Sequence, residues 1–573
     1  MKQEPWDLST IHSGNLAGSL KIIEKRAAVL EKWKTKLTPG IPAKTFLQLL
    51  KEIEDFHKIG LKTAVYAQLR FSENANDQKA LAEMSTVETA LTAINNRLLF
   101  FSLWFKDLPD KKATELIKVS EKYHYYLEML RKNKRYTLKE EEEKIINIKD
   151  TTGASALDNI YNLLTSNFIY QVDGKKRTQE EMVTFVRSSS PKVRETAYRA
   201  LLTPYKNNKE VIGEIYKNII NDWREENVTL RGYKSPISVR NVVNDIPDEA
   251  VEALLTVCEK NQSLFHRFFE IKRKRLGLKK LRRFDLYAPL EEEKENIPYE
   301  KGLSTVLETF DEFSAEFGLA ARKIVEARHI HSTVYKGKRS GAFCCSVTTE
   351  HPPYVFLSYT EKYRDVSTLA HELGHGVHAV LASIQTEFTH EACLPLAETA
   401  SIFSEMLLSE KMMKDNPKAA KEMLFTQIDN LYASITRQAG FVMFEKKAHQ
   451  MMKEGKTIDE MSTVYLADLK KQLGPKVDVD EIFAYEWAYI PHIFHTPFYC
   501  YAYAFGNLLT LALYEMYKEK GSKFVPKIIE MLSKGGGESP LEITKAVGVD
   551  ITSEKFWQKG FDVIEKMIKK VDS

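Results

Sequence analysis

The chain has 573 residues. That is too many for one compact core, and so we expect two or more lobes. Hydrophobic residues make up 43% and charged residues 28%, which is typical of a soluble globular protein. Lys and Arg total 83 against 79 Asp and Glu, and the resulting net charge of +4 is too small over this length to indicate a nucleic-acid or membrane partner.

The cysteines indicate a reducing compartment. Their number is odd, two are adjacent, and they form no Cys-x-x-Cys pair, so a disulfide framework is not expected. They are Cys258, Cys344, Cys345, Cys393 and Cys500. The N-terminal segment 1–7 lacks the apolar core of a signal peptide. Gly506 and Asn507 interrupt the longest apolar-rich stretch, 499–514, so it does not predict a membrane span. We therefore expect a cytoplasmic protein.

Helical periodicity dominates the N-terminal half. The apolar spacing over 47–65 and the aromatic run 98–105 predict long amphipathic helices. Residues 168–172, followed by Asp173 and Gly174, predict one side of a hairpin. The Ser-rich segment 188–191 predicts a boundary between an N-terminal helical lobe, 1–187, and a second domain, 188–573. The long helical stretch 193–223 that follows is expected to break or kink near Pro204.

A basic cluster lies further along the chain, over 272–275 and 279–283. We interpret it as a solvated helix face rather than a nucleic-acid patch. Next come two β-rich runs, 338–347 and 352–359, separated by a turn-prone segment. They predict a small β-sheet directly before the helix described next. An edge strand in that position could pair with an extended peptide. An ordinary hairpin packed on the helix is a compatible interpretation.

The segment 371–375 has the sequence His-Glu-x-x-His. Its surroundings are apolar and predict a helix, with Asp365 or Ser367 as the N-cap. Residues four apart share one helix face, so His371 and His375 can direct both imidazoles at one ion. Such an arrangement binds zinc in many metallopeptidases, with the intervening Glu372 placed to act on a metal-bound water. The same five-residue pattern also occurs by chance on surface helices.

A catalytic zinc site takes three protein ligands and keeps one position for water. The extended pattern with a third His six residues later fails here, because residue 381 is Leu. A carboxylate from a following helix is the remaining option. The candidates are Glu387, Glu391, Glu398 and Glu405. Glu398 is the best of them, because it lies in an apolar segment where an unpaired carboxylate is unfavourable.

Glu405 and His378 each lie on the same helix face as a proposed ligand. Glu405 lies two helical turns after Glu398, and it either orients a ligand His or is an exposed helix residue. His378 falls on the face of His371 and His375. A packing or hydrogen-bonding role is favoured for His378 over ligation.

The segment 489–503 contains two His and four Tyr. Peptide hydrolysis places negative charge on the carbonyl oxygen, and Tyr O–H and His N–H are suitable donors for it. A Tyr stripe can equally be core packing with satisfied hydroxyls. Composition alone favours that second interpretation.

Taken together, these motifs resemble the oligoendopeptidase F branch of the thimet-oligopeptidase-like zinc metallopeptidases. The resemblance covers most of the chain. It is strongest in the segments 338–343, 370–378, 397–401, 491–494 and 497–501.

The resemblance implies a mostly helical, two-lobed protein with a small β-sheet beside the zinc helix and a deep central channel. It implies one zinc ion bound by His371, His375 and Glu398, with Glu372 as the base. It further implies that His492 and nearby tyrosines donate to the oxyanion. Tyr499 and Tyr501 are our assignments, with Tyr503 left open. His495 departs from the pattern of the branch.

The predicted function is zinc-dependent endopeptidase action on internal bonds of short unfolded oligopeptides. Glu372 would assist the attack of a zinc-bound water. The alternative is a non-catalytic helical peptide-binding protein in which zinc is structural. A structural site would be closed by a fourth protein ligand, for which His378 is the nearest candidate in the sequence.

Overall fold

The computed structural model describes residues 3–172, 174–290, 296–339 and 341–572. Asp173 of the predicted hairpin and Ser340 of the first β-rich run lie outside these residues. Helices dominate the described chain, with small sheets between them. Among the described helices, none combines the length and apolar character needed to cross a bilayer.

The helices of the first half of the chain are α1 (Leu16–Glu31), α2 (Ala43–Glu73), α3 (Gln78–Leu98), α4 (Phe100–Asp107), α5 (Asp110–Val119), α6 (His124–Lys132), α7 (Glu140–Thr152), α8 (Ala154–Ser166), α9 (Gln179–Phe185), α10 (Pro191–Asn207), α11 (Lys209–Arg224), α12 (Pro236–Val243), α13 (Asp248–Lys260) and α14 (Gln262–Arg275).

The helices of the second half are α15 (Tyr299–Phe313), α16 (Ala315–Glu326), α17 (Tyr363–Ala382), α18 (Leu394–Ala397), α19 (Thr399–Asp415), α20 (Ala420–Leu431), α21 (Arg437–Lys453), α22 (Ile458–Leu473), α23 (His492–His495), α24 (Tyr501–Lys520), α25 (Val525–Ser533), α26 (Pro540–Ala546) and α27 (Glu554–Asp572). A 3-10 helix, Glu481–Tyr489, precedes α23.

The strands form three small sheets. They are β1 (Tyr170–Val172), β2 (Lys175–Arg177), β3 (Leu281–Arg282), β4 (Ile330–His331), β5 (Phe343–Cys345), β6 (Tyr354–Phe356) and β7 (Val477–Asp478). β1 and β2 make the predicted hairpin. The three-stranded sheet has the order β4-β6-β5, with β5 antiparallel to β6. The two β-rich runs before α17 therefore pair as predicted.

The chain divides into two compact units. The first comprises Met1–Arg135, Lys294–Lys411 and Met516–Val549, and the second comprises Tyr136–Glu293, Met412–Glu515 and Asp550–Ser573. The domain boundary proposed at residue 187 stays a prediction.

The first unit has two apolar regions, one among its N-terminal helices and one around the three-stranded sheet. One is a helical core in which Phe46 of α2 stacks on Phe105 of α4, with ring centroids 5.8 Å apart. The other covers the three-stranded sheet, where Trp6 lies against the central strand β6. All three β6 residues are fully buried. α17 packs on this sheet through β5 and β6, and on the helices α15, α16 and α25.

Buried ion pairs are prominent in the second unit. Arg283 donates to Glu486 Oε1 at 2.6 Å, and Arg194 donates to Asp285 at 2.8 Å. Lys272 is fully buried and binds Asp429. The prediction of a solvated face is therefore wrong for Lys272 and Arg283. Each of these cations has a carboxylate partner far along the chain, which makes its burial tolerable.

The predicted break of the helix near Pro204 is displaced by a few residues. Pro204 lies inside α10, and the chain leaves the helix at Asn208. The backbone N–H and side-chain Nδ2 of Asn208 both donate to the Pro204 carbonyl, at 3.0 and 2.8 Å. This carbonyl cap ends α10 one turn after the proline.

Candidate metal centre

The centre begins with α17, which starts earlier than the sequence indicates. Asp365 is not the N-cap. It lies in the first turn, where Oδ2 accepts from the backbone N–H groups of Thr360 at 2.6 Å and Lys362 at 3.1 Å. The helix therefore begins at Tyr363. Its interior is apolar, with Leu369, Ala370 and Leu373 fully buried.

On this helix the Nε2 atoms of His371 and His375 lie close together. The two Nε2 atoms lie 3.2 Å apart. Glu398, the residue between α18 and α19, adds a carboxylate oxygen. Its Oε2 lies 3.4 Å from Nε2 of His371 and 3.5 Å from Nε2 of His375. The structure thus brings together the three residues that the sequence proposes as metal ligands.

The size of this triangle fits a zinc ion. Zinc binds His nitrogen and carboxylate oxygen at about 2.0–2.2 Å in tetrahedral geometry, so neighbouring ligand atoms stand roughly 3.3–3.6 Å apart. The observed edges of 3.2, 3.4 and 3.5 Å match that spacing. Two imidazole nitrogens and one carboxylate are also a donor set that zinc accepts.

A glycine lets the two ligand-bearing elements approach. A Cβ atom placed on Gly374 would lie 2.6 Å from the Cα of Ser401 and 2.8 Å from the Ala400 carbonyl oxygen. Both are backbone atoms of α19, so no side chain can move aside. The missing side chain at residue 374 therefore sets the distance between α17 and the start of α19, and with it the distance from the imidazoles to Glu398.

Glu405 orients His371. Its Oε1 accepts from Nδ1–H of His371 at 2.6 Å, and its Oε2 accepts from the hydroxyl of Ser367 at 3.2 Å. A proton held on Nδ1 leaves the Nε2 lone pair available for a metal. The orienting role predicted as one alternative for Glu405 is therefore observed. The contribution of Ser367 was not predicted, although its spacing of four residues from His371 places it on the same helix face.

Glu372 is 6% exposed. Burial, together with the charges of Glu398 and Glu405, raises its pKa to about 7, although His371 acts in the opposite direction. Burial lowers the pKa of His371, but the hydrogen bond and charge of Glu405 outweigh it and raise the pKa to about 9. Three carboxylates around two imidazoles make an electronegative site, which favours a cation.

The other proposed ligands lie elsewhere in the first unit. Glu387 is buried, and its Oε1 accepts from the N–H and hydroxyl of Thr349 at 2.9 and 2.6 Å. Glu391 is exposed. His378 is buried, and burial lowers its pKa to about 4. Among the described residues, these three do not join the ligand triangle.

The His-Tyr segment belongs to the second unit. His492 opens α23, and its Nε2 lies 3.5 Å from the hydroxyl of Tyr503. The ring of Tyr499 is nearly parallel to that of His492, with an interplanar angle of 5° and centroids 6.0 Å apart. Tyr499 and Tyr503 meet edge to face at 5.1 Å. His492, Tyr499 and Tyr503 therefore form one cluster, which we call the His-Tyr cluster.

Tyr501 and His495 contact residues outside the His-Tyr cluster. Tyr501 is fully buried, and its hydroxyl accepts from Nδ2 of Asn244 at 2.8 Å. His495 lies 3.0 Å from Oδ1 of Asn162 and 3.1 Å from Asp158, both on α8. The catalytic assignment of Tyr501 stays a prediction, and His495 holds its segment against α8.

Known protein families that match this chain are peptidases. The sequence pattern of peptidase family M3 matches residues 184–563, and that described as oligopeptidase F matches residues 104–169. This chain belongs to peptidase family M3. The first of these matches covers the metal centre and the His-Tyr cluster, and the second lies in the N-terminal helices.

Relatives in this peptidase family cover the whole chain. An oligoendopeptidase F homolog of Borreliella burgdorferi is 26% identical over 100% of this chain and 98% of its own length. An oligoendopeptidase F homolog of Lactococcus lactis is 24% identical over 99% of this chain and 96% of its own length. The crystal structure of oligoendopeptidase-F from Enterococcus faecium matches with a TM-score of 0.72 at 19% identity, covering 98% of this chain and 99% of that one. The predicted resemblance to oligoendopeptidase F is confirmed.

Proposed function

We propose that this M3 peptidase is a zinc-dependent endopeptidase that cleaves internal bonds of short unfolded oligopeptides. The observation that supports the proposal most strongly is the ligand triangle of His371, His375 and Glu398, with edges of 3.2–3.5 Å. Glu372 directly follows His371 on α17, between the two histidines. The proposed ligands, the base Glu372 and the orienting residue Glu405 therefore all come from α17, α19 and the residue directly before α19.

When bound, zinc lowers the pKa of water to about 7 and polarises the scissile carbonyl. The chain's own residues carry the proton. Glu372 is the general base, which accepts a proton from the attacking water and delivers it to the leaving amine. Burial raises the pKa of Glu372, and a raised pKa favours uptake of the proton by this carboxylate. Glu405 keeps the proton of His371 on Nδ1.

Donors to the carbonyl oxygen come from the His-Tyr cluster in this proposal. His492, Tyr499 and Tyr503 each carry an N–H or O–H group, and each such donor contributes roughly 2.7–4 kcal/mol to stabilising the tetrahedral state. Tyr499 and Tyr503 are favoured over Tyr501, because the Tyr501 hydroxyl is buried against Asn244.

Substrate recognition is proposed to use the backbone. β5 is an outer strand of its sheet, and β6 is its neighbour among the described strands. An extended peptide can add to such an edge by main-chain hydrogen bonds, which supports action on unfolded segments of varied sequence. The five cysteines are free thiols, which supports the cytoplasmic location expected from the sequence.

A non-catalytic protein with structural zinc is less well supported. Structural zinc is closed by four protein ligands. Among the described residues, the triangle gains no fourth His, Cys, Asp or Glu, and His378 lies outside it. Three ligands and one open position are what a hydrolytic site requires.

The deciding experiment is cleavage of an internally quenched fluorescent peptide of about ten residues. We expect turnover, loss of turnover with a chelator, and recovery when stoichiometric zinc is restored. Mass spectrometry of the products should show internal cleavage rather than removal of terminal residues. Zinc bound without any turnover across a peptide library would favour the structural alternative.

A further inference from the structure

A tight turn within the second unit presents Tyr499 to His492. The N–H of Tyr499 donates to the carbonyl oxygen of Thr496 at 3.1 Å, which closes a four-residue turn. Pro497 is the second residue of the turn, and Phe498, the third, has φ of 59°. Proline at the second position and a positive φ at the third are the features of a type II turn.

Phenylalanine is unfavourable at that third position. A positive φ there favours Gly or Asn, because a Cβ atom crowds the backbone. A type I turn would give Phe498 a negative φ with no such crowding. The two turn types differ mainly in the orientation of the central peptide group, here the one joining Pro497 to Phe498. Something outside the turn must therefore hold this peptide in the type II orientation.

The side chains of Glu445 and Arg240 hold the two sides of that one peptide. The N–H of Phe498 donates to Oε1 of Glu445 at 2.8 Å. The carbonyl oxygen of Pro497 accepts from Nε of Arg240 at 3.2 Å. Flipping the peptide to the type I orientation would break both hydrogen bonds and leave a buried N–H group unpaired.

Glu445 is placed for this role by α21. Its side chain is fully buried, and its second oxygen, Oε2, has no hydrogen-bond partner. A buried carboxylate with one of its two oxygens unpaired is costly for folding. One helical turn later, the ring of His449 packs on the ring of Phe498 at 4.7 Å. Thus α21 contacts both the backbone and the side chain of Phe498.

The turn is also coupled to His492. The N–H of Thr496 donates to the carbonyl of His492 at 2.9 Å, and Tyr499 donates to the carbonyl of Thr496. Two successive turns therefore connect the two residues, and the second of them sets where the Tyr499 ring lies. The parallel arrangement of the Tyr499 and His492 rings depends on the peptide orientation at Phe498.

We propose that Glu445, assisted by Arg240, is a positioning residue that holds the Pro497–Phe498 peptide in the type II orientation and thereby places Tyr499 beside His492. The inference rests on the proposed function for its effect on turnover. The predicted orientation of the peptide does not depend on that function.

The test compares Glu445→Met with Glu445→Gln. Methionine preserves the volume but removes the acceptor, whereas the amide oxygen of glutamine still accepts from Phe498 N–H. We expect E445M to lower kcat by about 10- to 100-fold, less than the roughly 10²–10³-fold loss of a whole oxyanion donor, with KM changed less than about twofold. E445Q should stay within about threefold of the parent. Equal kcat losses in E445M and E445Q would overturn the proposal.

A second substitution separates positioning from general destabilisation. Glycine adopts a positive φ without steric strain. The fold reduction of kcat caused by E445M should therefore be much smaller in a Phe498→Gly background than in the parent. Equal losses in the two backgrounds would overturn the proposal. Tyr499→Phe combined with E445M should be non-additive, because both changes act through the same hydroxyl.

Crystal structures give a readout that needs no turnover. In E445M we expect the Pro497–Phe498 peptide to flip and φ of Phe498 to become negative. In E445M/F498G the positive φ should return. A positive φ retained at Phe498 in E445M would contradict the proposal, even if no peptide were cleaved by any variant. If E445M does not fold, Arg240→Met removes the other hydrogen bond, and the same outcomes apply to it.

Discussion

At the scale of single residues, the roles proposed for Glu372 and Glu398 are separable. Glu372 is 6% exposed and lies outside the ligand triangle. Glu372→Gln removes the proton acceptor and leaves all three ligands in place. We expect full zinc content and a loss of kcat of at least about 10²–10⁴-fold, measured with the quenched peptide and by elemental analysis.

The matched control for this change is Glu391→Gln, an exposed residue of the connection that leads to α18. It should keep both metal and turnover near the parent values. Near-normal turnover of E372Q with zinc retained would remove Glu372 from the reaction.

Glu398 is expected to govern metal content instead. Its Oε2 is one of the three corners of the triangle, and without it only two imidazoles remain for a site that needs three protein ligands. Glu398→Ala should therefore lose zinc after dialysis, whereas Glu391→Ala should retain it. Elemental analysis and zinc titration with a competing chelator measure the difference. Equal zinc content in the two variants would exclude Glu398 as a ligand.

The sequence predicts most of this candidate centre, but it does not predict the hydrogen bond between Ser367 and Glu405 beside it. The three proposed ligands and the proposed base follow from four-residue spacing and from one carboxylate in an apolar segment. The hydrogen bond from Ser367 to Glu405 joins residues 38 apart, and no local pattern indicates it. The choice among the tyrosines also needed the structure, because only side-chain direction separates Tyr501, which faces Asn244, from Tyr499 and Tyr503.

At the scale of elements, the close packing of α17 on α19 decides the site geometry. The Cβ of a Gly374→Ala variant would stand 2.6 Å from the Cα of Ser401, so the helices must separate by several tenths of an ångström. We expect stability to fall by about 1–3 kcal/mol and zinc affinity to fall by at least about tenfold. Thermal unfolding and zinc titration check the two effects.

Gly60 provides a control within a helix. It is also buried, in α2, but a Cβ there would meet its nearest atom, on Leu91, at 3.7 Å. Gly60→Ala should be neutral or slightly stabilising, since Ala favours helix by about 1 kcal/mol over Gly. Zinc affinity unchanged in G374A would mean that the helix separation does not set the ligand distances.

Element boundaries follow the sequence where local chemistry decides them. β1 lies within the predicted run 168–172, and β5 and β6 lie within the predicted runs 338–347 and 352–359. The start of α17 was misplaced because Asp365 caps the helix from its first turn rather than from the N-cap position. The end of α10 was misplaced because Asn208, rather than Pro204, terminates the helix.

At the scale of the whole molecule, charges that look exposed in the sequence become internal. Lys272 and Arg283 belong to a basic run that predicts a solvated face, yet both are buried against Asp429 and Glu486. These partners are more than 150 residues away in the chain. Pairing at that distance is a property of the folded unit, so no window of sequence reveals it.

Glu445 makes the stability of the second unit depend on pH. Burial raises its pKa from the ordinary 4.5 to about 8, against the smaller effects of Phe498 N–H and Arg240. Tyr216 and the Cys500 thiol also face it, and burial raises the pKa of each well above its usual value, so they stay neutral. Between pH 4.5 and 8 Glu445 is therefore protonated in the folded chain and ionised in the unfolded chain.

A folded state that holds the extra proton loses stability as the pH rises. The contribution is fully present below pH 4.5 and is gone above about pH 8, with a slope of at most about 1.4 kcal/mol per pH unit. Glu445→Gln stays neutral throughout, so its Tm relative to the parent should rise steadily from pH 5 to pH 8 and then level off. Thermal unfolding at saturating zinc measures that difference. A Tm difference between E445Q and the parent that stays constant from pH 5 to pH 8 would show that Glu445 is already ionised in the folded protein at pH 5.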